Sequence, residues 1–201
     1  MPMTFYKLEY TKASYFADFA VYLLAVVCAS AFLLLFAPPS EQLAIAICIT
    51  GGLIGWSLLE YLLHRFVLHG PQPFRAWHLE HHQRPRALIG TPTAISVGLI
   101  LSLVFLPMLV LAGPWRASGF TLGVAIGYLT YAWTHHALHH WHTDVAWLKS
   151  CKRQHAVHHG SHKGCQYGVT TAFWDRVFFS DFASKRLTSH PVRSAVADIS
   201  G

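Results

Sequence analysis

Four histidine clusters punctuate this chain: HRFVLH (His64, His69), HLEHH (His78, His81, His82), HHALHH (His135, His136, His139, His140) and HAVHH (His155, His158, His159). A neutral imidazole offers a nitrogen lone pair, whereas clustered imidazolium ions repel one another, so such a set suits a transition metal. On an α-helix, positions i, i+3 and i+4 share a face, and HLEHH and HAVHH are each expected to aim three imidazoles at a common point. HHALHH offers two pairs of the same spacing, His135 with His139 and His136 with His140, and spacing alone does not choose between them. Taking one of those pairs with the other clusters gives ten good candidate ligands. A first-row ion uses about four to six, so two metals are implied. The paired Glu and Glu-x-x-His pattern of soluble di-iron bundles is missing. Glu60, Glu80, Asp144 and Asp175 are read instead as supporting acids, hydrogen-bonded to the far ring nitrogens of ligating histidines. His140 is a further supporting candidate, and His142, His162 and His190 are read as bystanders, capping or supporting groups.

The elements that must position these groups are membrane helices. Of 201 residues, 53% are apolar and only 12% charged, against about 25% charged in ordinary soluble domains. Fifteen histidines equal the Lys plus Arg count and exceed the nine acids, so the polar chemistry of the chain must be mostly imidazole chemistry. A net charge of +6 spread over such a chain is not the dense basic stripe that nucleic-acid binding needs. Cys28, Cys48, Cys151 and Cys165 show no CxxC spacing and are expected to be free thiols. No removable signal peptide is expected, since no short apolar core with a small-residue cleavage site follows the first fifteen residues.

The apolar stretches predict an all-α membrane protein of one domain with four spans, near residues 16–37, 43–63, 91–112 and 119–140. The turns PPSE and GPWRAS are short, so the spans form two helical hairpins carrying a histidine-rich helical cap. Lys7 and Lys12 precede the first span, Arg75, Arg84 and Arg86 lie between the second and third, and eight Lys or Arg follow the fourth. The short turns carry only Arg116, so both termini and every histidine cluster are expected to face the cytoplasm. A metal transporter would need ionisable groups near the bilayer midplane, and the middles of these spans are uncharged. A haem protein built on histidine pairs would need fewer histidines than two HxxHH faces provide.

The order His-x4-His, HxxHH, His-x3-His at the end of a later span, HxxHH and then GVTTAFWDRVF (Gly168 to Phe178) resembles the fatty acid hydroxylase and sterol desaturase superfamily. The resemblance runs from Glu60 to about Phe179. It implies a membrane di-iron centre held by His64, His69, His78, His81, His82, His135, His139, His155, His158 and His159, with no catalytic residue beyond the metal centre. It also implies hydroxylation of a lipid C–H bond with O2 as co-substrate. Zinc competes well for nitrogen ligands, so purified protein can also contain it. THHALHH and GVTTAFWDRVF are similar to hydroxylases of the ceramide and fatty acid 2-hydroxylase type. HGPQPFRAWHLEHH and HAVHHGSHKGC are also similar to bacterial carotenoid hydroxylases, so carotenoid or sterol hydroxylation or desaturation is the alternative. No HPGG haem motif of a fused cytochrome b5 domain occurs, and the implied electron donor is a separate cytochrome b5-like or ferredoxin-like protein. Lys149, Lys152, Arg153, Lys185 and Arg186 could dock it.

Overall fold

The computed structural model describes residues 9–160 and 164–181; Lys7, His162, Lys185, Arg186 and His190 lie outside them. The described residues are helical, with no strand beyond an isolated bridge between Glu9 and Ile89. Helix α1 (Lys12–Phe36) is capped by Thr11, whose hydroxyl accepts from the Ser14 amide, and ends just before Pro38 and Pro39. A single 3-10 turn (Pro39–Glu41) leads straight into α2 (Gln42–Leu62), which continues through a π-helical turn (Leu63–Leu68). Then come α3 (Phe74–Gln83) and one apolar rod built from α4 (Thr93–Ile100), a π segment (Leu101–Phe105) and α5 (Leu106–Ala112). Helices α6 (Pro114–His140), α7 (Ala146–Gly160) and the short α8 (Phe173–Val177) complete the order.

Two details differ from the sequence expectation. GPWRAS is not a six-residue turn: Gly113, at φ +80°, makes the bend, and Pro114 already begins α6. Proline suits the first turn of a helix because its missing N–H would be unpaired there anyway, so Trp115 to Ser118 are helical. Among the described residues, three helices are long and apolar enough to cross a membrane: Lys12–Phe36, Pro39–Leu68 and Thr93–Ala112. Helix α6 is as long but carries Thr, Tyr, Trp and His, and it is the helix most enclosed by its neighbours. A helix that faces other helices instead of lipid has no need of a uniformly apolar surface. By contrast, α1 and the α4–α5 rod turn Leu34, Leu35, Val110 and Leu111 outward, the surface of a membrane protein.

Helices α2 and α6 run parallel and form the axis of the molecule. Arg116, at the start of α6, bonds Glu41, at the start of α2, with Nε 3.0 Å from Oε2. The histidines lie at the opposite ends of both helices. Their backbones touch through glycines: a Cβ at Gly123 would sit 2.1 Å from the Ile49 carbonyl oxygen, and one at Gly52 would sit 2.1 Å from that of Phe120. Leu33, Ala37, Ile45 and Leu122 fill the core between α1, α2 and α6. At the histidine end, Ala137, Leu138, Leu148, Cys151 and Val169 join α6 to α7 and to the segment that follows it. The α4–α5 rod is tied to α1 by the Tyr22 hydroxyl donating to Ser96 Oγ at 2.8 Å. Tyr22→Phe should lower stability in detergent by about 0.6 to 1.7 kcal/mol, and Ser96→Ala added to it should cost little more if this bond is what is lost.

Candidate metal centre

The first pair of histidines owes its geometry to the π-helical turn. On an α-helix, residues five apart point about 140° away from each other. Here the His69 amide donates across five residues to the His64 carbonyl at 3.2 Å, closing a wider turn. Five residues then complete about one circuit, and the two rings lie 5.2 Å apart, facing the same region.

The structure gathers the ten expected histidines into two groups of five. His64, His69, His78, His82 and His158 form the first, and His81, His135, His139, His155 and His159 the second; within each group, one ring nitrogen per residue lies within 4.8 Å of all the others. This corrects the expectation that each HxxHH aims at one point. His78 and His82 enter the first group while His81 crosses to the second, and His155 and His159 enter the second while His158 crosses to the first. The groups share a wall, where the rings of His82 and His159 stack at 4.1 Å. His136 and His140 stay outside both groups, stacked on each other at 4.4 Å, and His136 Nδ1 meets the Tyr15 hydroxyl at 3.2 Å.

The nitrogen spacing fits bound metal. His78 Nε2 lies 2.9 Å from His64 Nε2 and 3.0 Å from His82 Nε2, and His69 Nε2 lies 3.0 Å from His158 Nε2. In the second group, His155 Nε2 lies 2.8 Å from His139 Nε2 and 3.1 Å from His159 Nε2. Adjacent ligands set at right angles about an ion, each at ~2.1 Å, fall ~3.0 Å apart, the spacing seen here. His81 Nε2 is buried with no hydrogen-bond partner, a lone pair that a metal would satisfy.

Protonation is suppressed across the cap. Burial is the largest cause and neighbouring imidazoles add to it: His69 falls to about 4, His81 and His159 to about 3, and His82 to about 2. His78, His155 and His158 are likewise lowered, chiefly by burial. The sign favours ligation, because the neutral form carries the lone pair.

None of the expected supporting acids hydrogen-bonds a histidine of either group. Asp144 is exposed and pairs with Lys149, and Glu80 pairs with Arg84 on the outer side of α3. Glu60 and Asp175 are buried, but both grip the main chain after α7. Glu60 Oε1 accepts from the amides of Val169 at 2.7 Å and Thr170 at 3.0 Å, and its Oε2 accepts from the Thr170 hydroxyl at 2.6 Å. Asp175 accepts from the amides of Tyr167 and Gly168 and from the Ser180 hydroxyl, each at 2.8 Å. The role expected of these acids falls to two carbonyls of the segment they hold. Tyr167 O faces His64 Nδ1 at 2.5 Å, and Cys165 O faces His158 Nδ1 at 2.9 Å. Sequence reasoning could not see main-chain acceptors; the one available signal was Gly168, where a Cβ would lie 2.0 Å from the Thr171 carbonyl and 3.0 Å from Asp175 Oδ2.

Comparison with known proteins gives the same direction. The fatty acid hydroxylase family model matches residues 49–180. The dihydroceramide fatty acyl 2-hydroxylase FAH2 of Arabidopsis thaliana is 34% identical over 145 residues, 67% of this chain and 60% of that protein. The ceramide very long chain fatty acid hydroxylase scs7 of Schizosaccharomyces pombe is 33% identical over 63% of this chain and 40% of its own length. Human fatty acid 2-hydroxylase is 30% identical over 61% of this chain and 36% of its own. Among solved structures, full-length scs7p, in which only the hydroxylase domain is visible, superposes with a TM-score of 0.68 at 25% identity, covering 85% of this chain and 67% of that one. The matches thus span between about a third and two thirds of each relative.

Proposed function

Because the chain belongs to the fatty acid hydroxylase family, we propose that it is a membrane di-iron oxygenase that hydroxylates a C–H bond of a fatty acid or fatty acyl lipid. The observation that carries this reading is the pair of five-histidine groups, in ring contact with each other, at one end of an apolar helical bundle. Iron bound there would supply O2 activation, so that one oxygen atom ends on the substrate carbon and the other as water, with two electrons and two protons from a separate donor. The residues that would hold it are the ten grouped histidines, neutral by burial and unsuited as a set to magnesium or calcium. Tyr131 stacks on His135 and packs against the core beside Ala137, Leu138 and Val169, which keeps water from the inner side of the second group.

In this reading α1, α2, the α4–α5 rod and α6 are four crossings, and the histidine end faces the cytoplasm. Lys12, Arg75, Arg84, Arg86 and the cations of α7 lie at that end, while among the described residues Arg116 alone marks the other. A lipid can then keep its chain in the bilayer while one carbon reaches the metals. The donor, cytochrome b5-like or ferredoxin-like, would meet the α7 side. There Lys149 is paired with Asp144 and Lys152 donates to the Trp141 carbonyl at 2.7 Å, while Arg153 is exposed.

Expression in a host that lacks the activity, followed by lipid mass spectrometry, tests this. The expected result is a gain of one oxygen atom in fatty acyl lipids. Loss of two hydrogens would mark a desaturase, and oxygen gained only in sterols or carotenoids would move the substrate class. An unchanged lipid profile from iron-loaded protein supplied with a reductant and donor would refute the reading.

A further inference from the structure

We infer that the two metal positions are inequivalent, the first being pre-set by a main-chain brace that Glu60 and Asp175 hold in place as positioning residues. The inference rests on the ten histidines forming a two-metal centre. It begins with which ring nitrogens are fixed from outside. A carbonyl oxygen only accepts, so an imidazole whose Nδ1 faces one must carry its proton there, leaving the Nε2 lone pair free before any metal arrives. His64 and His158, facing Tyr167 O and Cys165 O, are set this way, and the Nε2 atoms of both point into the first group.

Among the described residues, the second group has no comparable brace. His155 aims Nε2 into the group at His139 and His159, but its Nδ1 is buried with no partner. His135 is backed by the ring of Tyr131, which fixes its plane and not its tautomer. Among the described residues of this group, only His159 has a main-chain carbonyl beside it, that of His82, which is itself a member of the first group and outside the brace. His155 and His135 are thus free to hold the proton on the nitrogen the metal needs, and binding must then move it.

The brace is built with unusual completeness. Four consecutive amides, Tyr167 to Thr170, donate to two carboxylates, of which Asp175 is fully buried and Glu60 is 4% exposed. Glu60 lies one turn before His64 on α2, so the same helix carries both a ligand and the anchor of the segment that orients it. Asp175 is fastened in turn by Ser180, whose hydroxyl also meets that of Tyr61 at 2.8 Å. In Asp175→Asn an NH2 replaces one acceptor, so one of the two amide bonds is lost and the carbonyls of Cys165 and Tyr167 shift relative to their histidines.

Titration of the purified full chain with Co2+, followed through its visible absorption bands, tests this directly. Wild type should take up two ions in two resolved steps. His69→Gln should remove the tighter step and His139→Gln the weaker. Asp175→Asn and Glu60→Gln should weaken the tighter step by about 10-fold to 100-fold and leave the weaker one in place. Thr170→Val, which deletes only the hydroxyl bond to Glu60, should give the low end of that range and carries the test if the carboxylate variants do not fold. A purely structural role would lower the melting temperature and weaken both steps together. Equal weakening of both steps, or no weakening, overturns the inference. Wild type filling both positions in one step overturns the inequivalence while leaving the metal centre standing, whereas wild type that binds no ion overturns the centre itself.

Discussion

Replacing His81 with alanine should remove the second metal and leave the first, while replacing His78, three residues earlier on the same helix, should do the reverse. The reason lies in helical geometry. Relative to position i, position i+4 lies about 40° to one side and position i+3 about 60° to the other, so i and i+4 pair while i+3 diverges. His78 and His82 therefore face the first group together and His81 faces the second. Helix α7 repeats the arrangement with the groups exchanged: His155 and His159 face the second and His158 the first. In the proposed centre each cap helix would thus give two ligands to one ion and one to the other, and neither metal would be the property of a single HxxHH motif. Metal analysis should find about one ion per chain in His78→Ala and in His81→Ala, and about none in the double variant. Adding His158→Ala to His78→Ala should remove no further ion, whereas adding it to His81→Ala should remove the remaining, first-group ion. Because loss of a group that merely orients a ligand costs about 10-fold to 100-fold, loss of a ligand should take hydroxylation below about 1% of wild type in either single variant. If His78→Ala and His81→Ala lose the same ion, the crossed assignment is wrong.

Much of the candidate metal centre's grouping could be read from residue types, because metal chemistry restricts them and helical spacing restricts their placement. The ten histidines that the structure gathers are those expected, including the choice of His135 and His139 over His136 and His140, which spacing alone had left open. What escaped was three-dimensional in origin. The crossing of His81 and His158 depends on having two targets, one on each side of α3 and α7, and a motif read alone shows only one face. The π-helical turn that aligns His64 with His69 has no marker in the letters LHRFVL. Glu60 and Asp175 were expected to hydrogen-bond ligating histidines and instead hold main-chain amides, and the carbonyls that do face His64 and His158 carry no side-chain signature. The four apolar stretches located the long helices. Hydropathy described α6 less well, since burial against α1 and α2 relaxes its composition. A signal for that burial was present in Gly119, Gly123 and Gly127, spaced one turn apart.

Gly123→Val should be the most damaging single change far from the histidines. Its Cβ would fall 2.1 Å from the Ile49 carbonyl oxygen and 2.9 Å from the Leu53 nitrogen, both main-chain atoms of α2. Overpacking a core costs about 1 to 3 kcal/mol when side chains can move aside. Here the obstacle is a helix backbone, so α2 and α6 must separate along their length, and a cost above about 3 kcal/mol is expected. The separation also reaches the metals. Helix α2 leads to His64 and His69 of the first group, and α6 carries His135 and His139 of the second, so parting the helices pulls apart the wall where His82 meets His159. Gly98→Val supplies the control: it adds the same side chain to another apolar helix, where a Cβ meets nothing within 4 Å. In detergent, Gly98→Val should melt with wild type and keep both ions. Gly123→Val should melt far lower, elute partly aggregated and retain less than one ion per chain. Equal behaviour of the two variants would mean that α2 and α6 tolerate a wider spacing, and the backbone contact at Gly52 and Gly123 would then not be what sets the distance between the histidine-bearing helix ends.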